Sequence, residues 1–330
     1  MIPEFFTPQD AWLDQVGRIY VLLHTIEQAP AARQVELRRK NRIDAVHSST
    51  AIEGNRLTID EVTAVIDGHT VWGPEKDVLE VSNAWAAYEA LDSFDPYSVD
   101  DLLGAHALMT KGLIAQSGRF RDVDVEIVNA DGEVLHTGSR VDKVPRLVGE
   151  LLEWASTTTA HPLVASSAVH FMLECIHPFQ DGNGRIGRLW QTLLLSRWEP
   201  LFAWMPTETL IARNQLGYYT ALHESQHPDL DGTPFITYML GIIEASLEDY
   251  QTNVGINGGV NVGISERVLE SIRRDGHTTA AHLAEQLGVS VRQVERAIKS
   301  WREIGVLTRD GSNKSGRWIV RDELGERGAQ

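Results

Sequence analysis

The chain has one cysteine, Cys175, among its 330 residues, so no disulfide framework can form within it. No apolar run approaches the ~20 residues that a membrane helix requires. Positive charge is scarce, because 30 Lys and Arg stand against 46 Asp and Glu, a formal net charge of −16. Such a balance argues against a protein that coats nucleic acid or anionic membrane over its whole surface. The first residues are acidic where a signal peptide is basic, and the cytoplasm is the expected compartment.

One dense polar stretch, residues 177–188 with the letters HPFQDGNGRIGR, dominates what the sequence does contain. The residues that follow, to Trp198, have helical spacing with no Gly or Pro, so residues 182–187 predict a loop that turns into a helix N-terminus. Unpaired backbone N–H groups and the positive end of the helix dipole favour an anion at such a place. The stretch therefore predicts a site for a nucleotide phosphate.

The charged side chains of this stretch support the same interpretation. Arg185 and Arg188 stand three residues apart on one helix face and can direct two guanidinium groups at one anion. Asp181 offers a hard oxygen ligand for a cation, and His177 offers a base that titrates near neutral pH. Together these residues predict a phosphate site with chemistry attached.

Two better-known phosphate motifs fit less well. Gly182, Gly184 and Gly187 satisfy the spacing G-x-G-x-x-G, but the dinucleotide-binding motif needs a strand immediately before its first glycine. The preceding residues 164–175 instead place apolar side chains at helical spacing. A P-loop needs Lys followed by Ser or Thr after the last glycine, and Arg188 stands there instead.

The twelve residues 177–188 resemble the signature H-x-F-x-[DE]-G-N-G-R-x-x-R of the Fic (Fido) family, with every defined position matched. Members of that family are all-α proteins that transfer AMP from ATP to a hydroxyl of a target protein. The resemblance implies an all-α fold with a Fic-type helical bundle core and a short β-hairpin flap. It also implies ATP as substrate and Mg²⁺ as cofactor.

The resemblance assigns a role to each matched residue. His177 would be the catalytic base and Asp181 the Mg²⁺ ligand, while the glycine turn and the Asn183 amide would stabilise charge on the phosphoryl oxygens. A Tyr-Tyr pair at 218–219 resembles the adenine-side segment of the family, although a Tyr on an amphipathic helix is as often part of the core. The implied nucleotide-binding set is Asp181, Gly182, Asn183, Gly184, Arg185, Gly187, Arg188, Tyr219 and Leu222.

Residues 49–54, with the letters STAIEG, resemble the inhibitory motif [ST]-x-x-x-E-[GN] of one Fic class. Glu53 lies in the last turn of a predicted helix, where a carboxylate opposes the dipole and costs about 0.3–1 kcal/mol unless a cation compensates. Ser49 shares its helix face and could orient it, and Gly54 ends the helix. By the resemblance, Glu53 pairs with Arg188 and blocks the place of the ATP γ-phosphate. Otherwise Glu53 is a solvated surface residue, as most glutamates are.

A β-hairpin is predicted between the helices. Val123, Val125 and Ile127 alternate with acidic residues, a turn follows at 129–132, and Val134 and Leu135 come next. The hairpin resembles the family's flap, on which a target segment adds as a strand. The predicted target-docking residues are Val125, Ile127, Val134 and Leu135, and a surface hairpin without a ligand is the alternative.

The C-terminal region has a different composition. Residues 264–321 carry eleven Lys and Arg against seven Asp and Glu. Helices over 265–274, 278–287 and 290–304, followed by a short hairpin, match a winged helix-turn-helix. The candidate DNA contacts are Arg292, Gln293, Arg296 and Lys299. Such modules also mediate dimerisation, so DNA and a second copy of the chain remain alternative partners.

Helical periodicity predicts further helices over 9–27, 34–53, 77–92, 99–116, 144–156, 162–176, 213–222 and 234–250. One more helix is predicted to start at Thr58 with a capping box, and another to follow residues 182–187 and to end at residue 198. The predicted domains are an N-terminal helical region 1–110 with an inhibitory helix at about 43–54, a catalytic core 99–250, a Gly/Asn linker 251–263 and a winged-helix domain 264–322.

The function predicted from these features is a protein adenylyltransferase that is autoinhibited by Glu53, with another protein or the chain itself as target. Two alternatives stay open: a DNA-binding regulator that uses the Fic core as a sensor, and removal of AMP at the same site with the help of Glu53.

Overall fold

The computed structural model describes residues 5–27, 31–128, 134–226 and 229–254, and in the C-terminal region residues 268, 271–274, 276, 278–287, 289–291, 294–295, 298–299, 302, 307–310 and 317–320. The chain divides into two compact units, Met1–Tyr250 and Gln251–Gln330. Within the described residues, no helix is long and apolar enough to cross a membrane.

The first unit is a helical bundle with one β-hairpin, as the all-α prediction requires. Its helices are α1 (Asp10–Glu27), α2 (Ala31–Ile52), α3 (Ile59–Ile66), α4 (Glu75–Glu89), α5 (Val99–Met109), α6 (Val144–Thr157), α7 (Pro162–Ile176), α8 (Asn183–Trp198), α9 (Thr207–Arg213), α10 (Gln215–Gln226) and α11 (Thr233–Val254), and its strands are β1 (Glu126–Val128) and β2 (Val134–Thr137).

Helix α7 forms the centre of the bundle. Every residue from Leu163 to Ile176 is buried, which fits a helix that is apolar around most of its circumference. Its buried hydroxyl groups are satisfied locally, since Ser167 Oγ donates to the Leu163 carbonyl at 2.8 Å. Helix α8 packs against α7. The helical spacing that excluded a strand before Gly182 is therefore confirmed.

Two helix ends differ from the prediction. The helix predicted to reach residue 116 ends at Met109, where Thr110 Oγ1 donates to the His106 carbonyl and Gly112 adopts a positive φ of 73°. The last helix of the unit continues to Val254, so the first residues assigned to the Gly/Asn linker are helical. The capping box of Thr58 and Glu61 at the start of α3 is confirmed.

The predicted hairpin exists, but it begins later than predicted. β1 and β2 are antiparallel, with Ile127 opposite His136 and an irregularity between Ile127 and Val128. Val125 lies just before β1, and its carbonyl accepts from the Gly138 N–H across the hairpin, while the Arg121 side chain holds the Val123 carbonyl. Val134 and Leu135 lie on β2.

The second unit has a hydrophobic core of its own. In its described residues, helix α12 (Ala280–Leu287) accompanies an antiparallel pair of strands, β3 (Leu307–Asp310) and β4 (Arg317–Val320). The core residues are Val268, Ile272, Leu283, Ala284, Val294, Ile298, Leu307 and Trp318. The predicted DNA contacts Arg292, Gln293 and Arg296 lie outside the described residues, and Lys299 is exposed.

Candidate active site

His177 follows the C-terminal end of α7, and its backbone adopts a left-handed conformation that is rare for residues other than glycine. It is the one non-glycine residue with a positive φ, 51°, in the described part of the chain. A left-handed residue with a Cβ costs about 1–2 kcal/mol, so surrounding contacts must hold it. The turn directs the imidazole into a cavity that the following loop also lines.

Arg121 holds the turn at His177, and no motif in the sequence marks this residue. Its side chain is fully buried. Nε donates to the His177 carbonyl at 2.7 Å, and NH2 donates to the carbonyls of Ser139 and Ile176. The Arg121 N–H also donates to the Pro178 carbonyl. One guanidinium thus joins the end of α7 to the base of the β1–β2 hairpin.

The loop that follows His177 is closed by its own side chains. Asn183 Oδ1 accepts from the Phe179 N–H at 2.8 Å, and Asn183 Nδ2 donates to the Phe179 carbonyl at 2.9 Å. The Phe179 ring is buried and stacks on His106 with 3.8 Å between ring centroids. The Asn183 amide therefore shapes the loop, and its contact with the phosphoryl oxygens stays a prediction.

His106 supports the loop from α5, and sequence reasoning missed it. Its Nε2 donates to the Asp181 carbonyl at 3.0 Å, and its Nδ1 accepts from the Gly118 N–H at 3.0 Å. The ring must be neutral to make both bonds. Burial lowers the pKa of His106, which favours this neutral form.

Helix α8 begins at this loop without a side-chain cap. Gly182 is the N-cap residue, with a φ of 88°, and no side chain bonds to the first turn. The first N–H groups of a helix have no partner inside it. Together with the positive end of the dipole they form a seat for an anion, as the sequence predicted.

An anion of the protein itself lies at that seat. A Cβ added to Gly184 would meet Glu53 Oε1 at 2.4 Å, so the carboxylate lies directly against the first turn of α8. Glu53 Oε1 also accepts from Arg188 NH2 at 2.7 Å. The pairing of Glu53 with Arg188 that the sequence predicted is thus present in the structure.

The end of α2 fixes the position of Glu53. Gly54 adopts a positive φ of 91°, its N–H donates to the Ala51 carbonyl, and the Asn55 N–H donates to the Thr50 carbonyl. This pair of bonds is a Schellman motif, in which a glycine ends the helix. Glu53 occupies the last position before that glycine, just after the helix end at Ile52.

Ser49 contacts the arginine and not the glutamate, which corrects its predicted role. Arg188 Nε donates to Ser49 Oγ at 3.1 Å, and Arg188 NH2 donates to the Ser49 carbonyl at 3.0 Å. Ser49 is fully buried, and only 2% of Arg188 is exposed. Three groups at the end of α2 therefore accept hydrogen bonds from the Arg188 guanidinium: the Ser49 hydroxyl, the Ser49 carbonyl and the Glu53 carboxylate.

These elements enclose a cavity of about 310 Å³. The predicted residues on its wall are Glu53, His177, Asp181, Gly182, Asn183, Gly184, Arg188, Tyr219 and Leu222. Tyr218 of the predicted Tyr-Tyr pair also lines the cavity, together with three titratable side chains that the sequence did not single out: His136 from β2, Glu174 from α7 and His223 from α10.

Two predicted nucleotide-binding residues lie away from this wall. Arg185 is 2% exposed, with NH2 donating to Asp181 Oδ1 at 3.1 Å and NH1 at 3.6 Å from Glu80. Gly187 faces α7, since a Cβ there would meet His170 Cδ2 at 2.7 Å. Gly187 therefore permits the close approach of α7 and α8, and its place in the nucleotide-binding set stays a prediction.

The Mg²⁺ prediction rests on Asp181 alone. No cluster of three or more His, Cys, Asp or Glu side chains suited to a metal occurs among the residues that the structure describes. Asp181 Oδ1 accepts from the Gly182 N–H and from Arg185, whereas its side chain is 43% exposed and lines the cavity. Mg²⁺ usually takes one or two carboxylates and completes its shell with water and substrate phosphates, so the residue fits the ion.

The fold and the site define a helical protein in which the N-terminus of a helix, without a side-chain cap, lies at the same cavity as a half-buried histidine. Comparison with known proteins makes the assignment more specific. The sequence profile of the Fic/DOC family matches residues 96–195. A solved Fic family protein from Desulfovibrio desulfuricans is 36% identical, with a TM-score of 0.73, and the alignment covers 99% of this chain and 100% of that one. The chain belongs to the Fic family.

Other relatives are more distant. Protein adenylyltransferase fic-1 of Caenorhabditis elegans is 28% identical over 218 residues, which cover 62% of this chain and 40% of that protein. Protein adenylyltransferase Fic of Nematostella vectensis is 24% identical over 223 residues, 64% of this chain and 49% of that protein. This chain thus spans less than half the length of these curated relatives.

Proposed function

We propose that this chain is a protein adenylyltransferase, which moves AMP from ATP to a hydroxyl of a target protein and releases pyrophosphate. The observation that carries the proposal is the meeting of His177, the uncapped N-terminus of α8 and Arg188 at one cavity. A base, an anion seat and a guanidinium are the groups that nucleotidyl transfer needs. The printed names of the curated relatives agree with this reaction.

In the reaction, the target hydroxyl gives its proton to the His177 imidazole while its oxygen attacks the α-phosphorus. The bond from the α-phosphorus to the bridging oxygen of pyrophosphate breaks, and the electron pair leaves with pyrophosphate. Burial lowers the pKa of His177, against the raising effect of Glu174, so the imidazole is neutral at neutral pH and can accept a proton. Backbone N–H groups at the start of α8 stabilise the phosphoryl oxygens.

Asp181 would hold Mg²⁺ against the phosphates, and the ion would neutralise their charge. Arg188 would bind the γ-phosphate, and Arg185 would serve the β-phosphate from its position behind Asp181. Tyr219 and Leu222 would form the wall beside the base, and the β1–β2 hairpin, with Val125 at its base, would receive the target's backbone.

Glu53 makes the enzyme inactive in this arrangement. Its carboxylate occupies the seat at Gly184 and takes one donor group of Arg188. A phosphate cannot share that seat, because two anions in contact repel each other strongly in a buried site. Activity therefore requires the end of α2 to release Arg188.

The test is transfer of labelled AMP to the purified chain and to proteins of a cell lysate. Glu53→Gly should raise the rate of auto-modification by more than tenfold, because the variant loses a hydrogen bond between two charged groups, worth about 1.5–3 kcal/mol. Mass spectrometry should find the added AMP on the chain. His177→Ala in the same background should abolish transfer while ATP still binds. A Glu53→Gly chain no more active than wild type would refute the autoinhibition, and transfer without His177 would refute its role as base.

A further inference from the structure

Glu174 is a buried acid that the proposed mechanism does not use. It lies on α7, three residues before His177, with 8% of its surface exposed, and lines the same cavity. Its Oε1 is buried and accepts no hydrogen bond from the described residues. A buried carboxylate without a donor is costly, so an ordinary packing position does not account for it.

His170, the nearest basic group on α7, does not satisfy this carboxylate. Its Nε2 lies 3.7 Å from Glu174 Oε1, which is too long for a hydrogen bond. Its Nδ1 donates to Gln191 Oε1 at 2.7 Å, and its Nε2 accepts from the Tyr218 hydroxyl at 3.1 Å. His170 is therefore near Glu174 Oε1 without donating a hydrogen bond to it, and that oxygen lies beside the cavity that Glu174 lines.

We propose that Glu174 is a positioning residue for His177, whose negative charge stabilises the imidazolium that forms when His177 takes the proton of the target hydroxyl. Both side chains line the same cavity, and Glu174 lies three residues before the left-handed turn that His177 forms at the end of α7. In such a largely buried site, one nearby opposite charge can favour the charged form of a group by about one pKa unit or more. The inference rests on the proposed transferase function.

The other charges around the imidazole make this contribution necessary. Burial lowers the pKa of His177, and His136 from β2 and Arg121 lower it further. Glu174 acts in the opposite direction and raises that pKa through its negative charge.

Glu174 itself stays ionised in this environment. Burial acts to raise the pKa of its carboxyl, but His170, His177 and Arg188 together bring that pKa below its ordinary value. An ionised Glu174 opposes the effect of His136 and Arg121 on the base. Without the charge of Glu174, the pKa of His177 would be lower and the imidazole would be a weaker base.

The direct test is titration of His177 by NMR in chains labelled at histidine, with the resonance assigned by its absence in His177→Ala. Glu174→Gln keeps the side-chain shape and removes the charge, so the pKa of His177 should fall by about one unit or more. Glu174→Asp should restore much of the difference. Glu153→Gln, an exposed acid on α6, makes the same change in net charge and should have no effect. An unchanged His177 pKa in Glu174→Gln would overturn the proposal.

Kinetics provide the second readout. In the Glu53→Gly background, Glu174→Gln should move the acid limb of the kcat/KM profile to lower pH and reduce the plateau kcat several-fold, because the base is weaker. KM for ATP should not change. A raised KM with unchanged kcat would overturn the proposal and place Glu174 in nucleotide binding. Absence of transfer in every variant would contradict the transferase function, and the NMR titration would still decide the influence of Glu174 on His177.

Discussion

Arg188 illustrates how single residues set the state of this site. Its guanidinium is buried, and three oxygen atoms of the α2 segment, on Ser49 and Glu53, accept its hydrogen bonds. Each bond to a buried charged group is worth about 1.5–3 kcal/mol. The proposed autoinhibition therefore depends on Ser49 as well as on Glu53, although only the Glu53 carboxylate lies against the first turn of α8.

Ser49→Ala removes one acceptor and leaves Arg188 Nε without a partner. We expect the variant to transfer AMP faster than wild type but more slowly than Glu53→Gly, because the carboxylate can still reach its seat. The neighbouring Ser48 is also buried, yet its hydroxyl donates to Thr209, so Ser48→Ala should leave the transfer rate unchanged. Equal activation by both variants would show that general loosening of α2 is responsible, and not the contact with Arg188.

The role of a single residue could be predicted from the sequence where that residue belongs to a short motif of neighbouring positions. The partnership of Glu53 with Arg188 followed from a resemblance, and the free N-terminus of α8 followed from its glycines. Arg121, His106 and Glu174 could not be found in this way. The partners of Arg121 and His106 are backbone groups far away in the sequence, such as the His177 carbonyl 56 residues from Arg121, and no periodicity marks such pairs. The position of Glu174 on the cavity, and the bonds by which the Asn183 amide closes its loop, depend on the folded structure.

At the scale of elements, the packing of α7 against α8 places the base beside the anion seat. Gly187 is the contact point, since a Cβ there would lie 2.7 Å from His170 and 3.0 Å from Glu174 Oε1. Both neighbours belong to rigid, buried segments of α7. The glycine therefore sets the distance between the two helices, which helical spacing alone could not predict.

Gly187→Ala should destabilise the chain by about 1–3 kcal/mol through overpacking and should lower the transfer rate of the Glu53→Gly chain. Gly104, in the middle of α5, has open space where a Cβ would lie. Gly104→Ala should therefore stabilise the chain by about 0.5–1 kcal/mol, since alanine favours a helix. Urea unfolding would measure both changes. A neutral Gly187→Ala would mean that α7 and α8 can separate without cost.

At the scale of the whole molecule, the chain carries two hydrophobic cores, one in each compact unit. The sequence indicated this division through its Gly and Asn content and through the change in charge after residue 263. The predicted boundary after residue 250 coincides with the division between the two units, although α11 continues to Val254. Every residue of the proposed active site lies in the first unit.

Two cores predict two unfolding transitions, and ATP should stabilise only the unit that binds it. Saturating ATP with Mg²⁺, at about 100 times its Kd, adds about 2.7 kcal/mol to the stability of the binding unit. For a unit of this size that corresponds to about 5–10 °C in Tm. We expect this shift in the larger transition of the Glu53→Gly chain and a smaller one in wild type, where the Glu53 carboxylate must first leave its seat. Calorimetry of the full chain would measure it, and an ATP-dependent shift of the smaller transition would show that the second unit takes part in nucleotide binding.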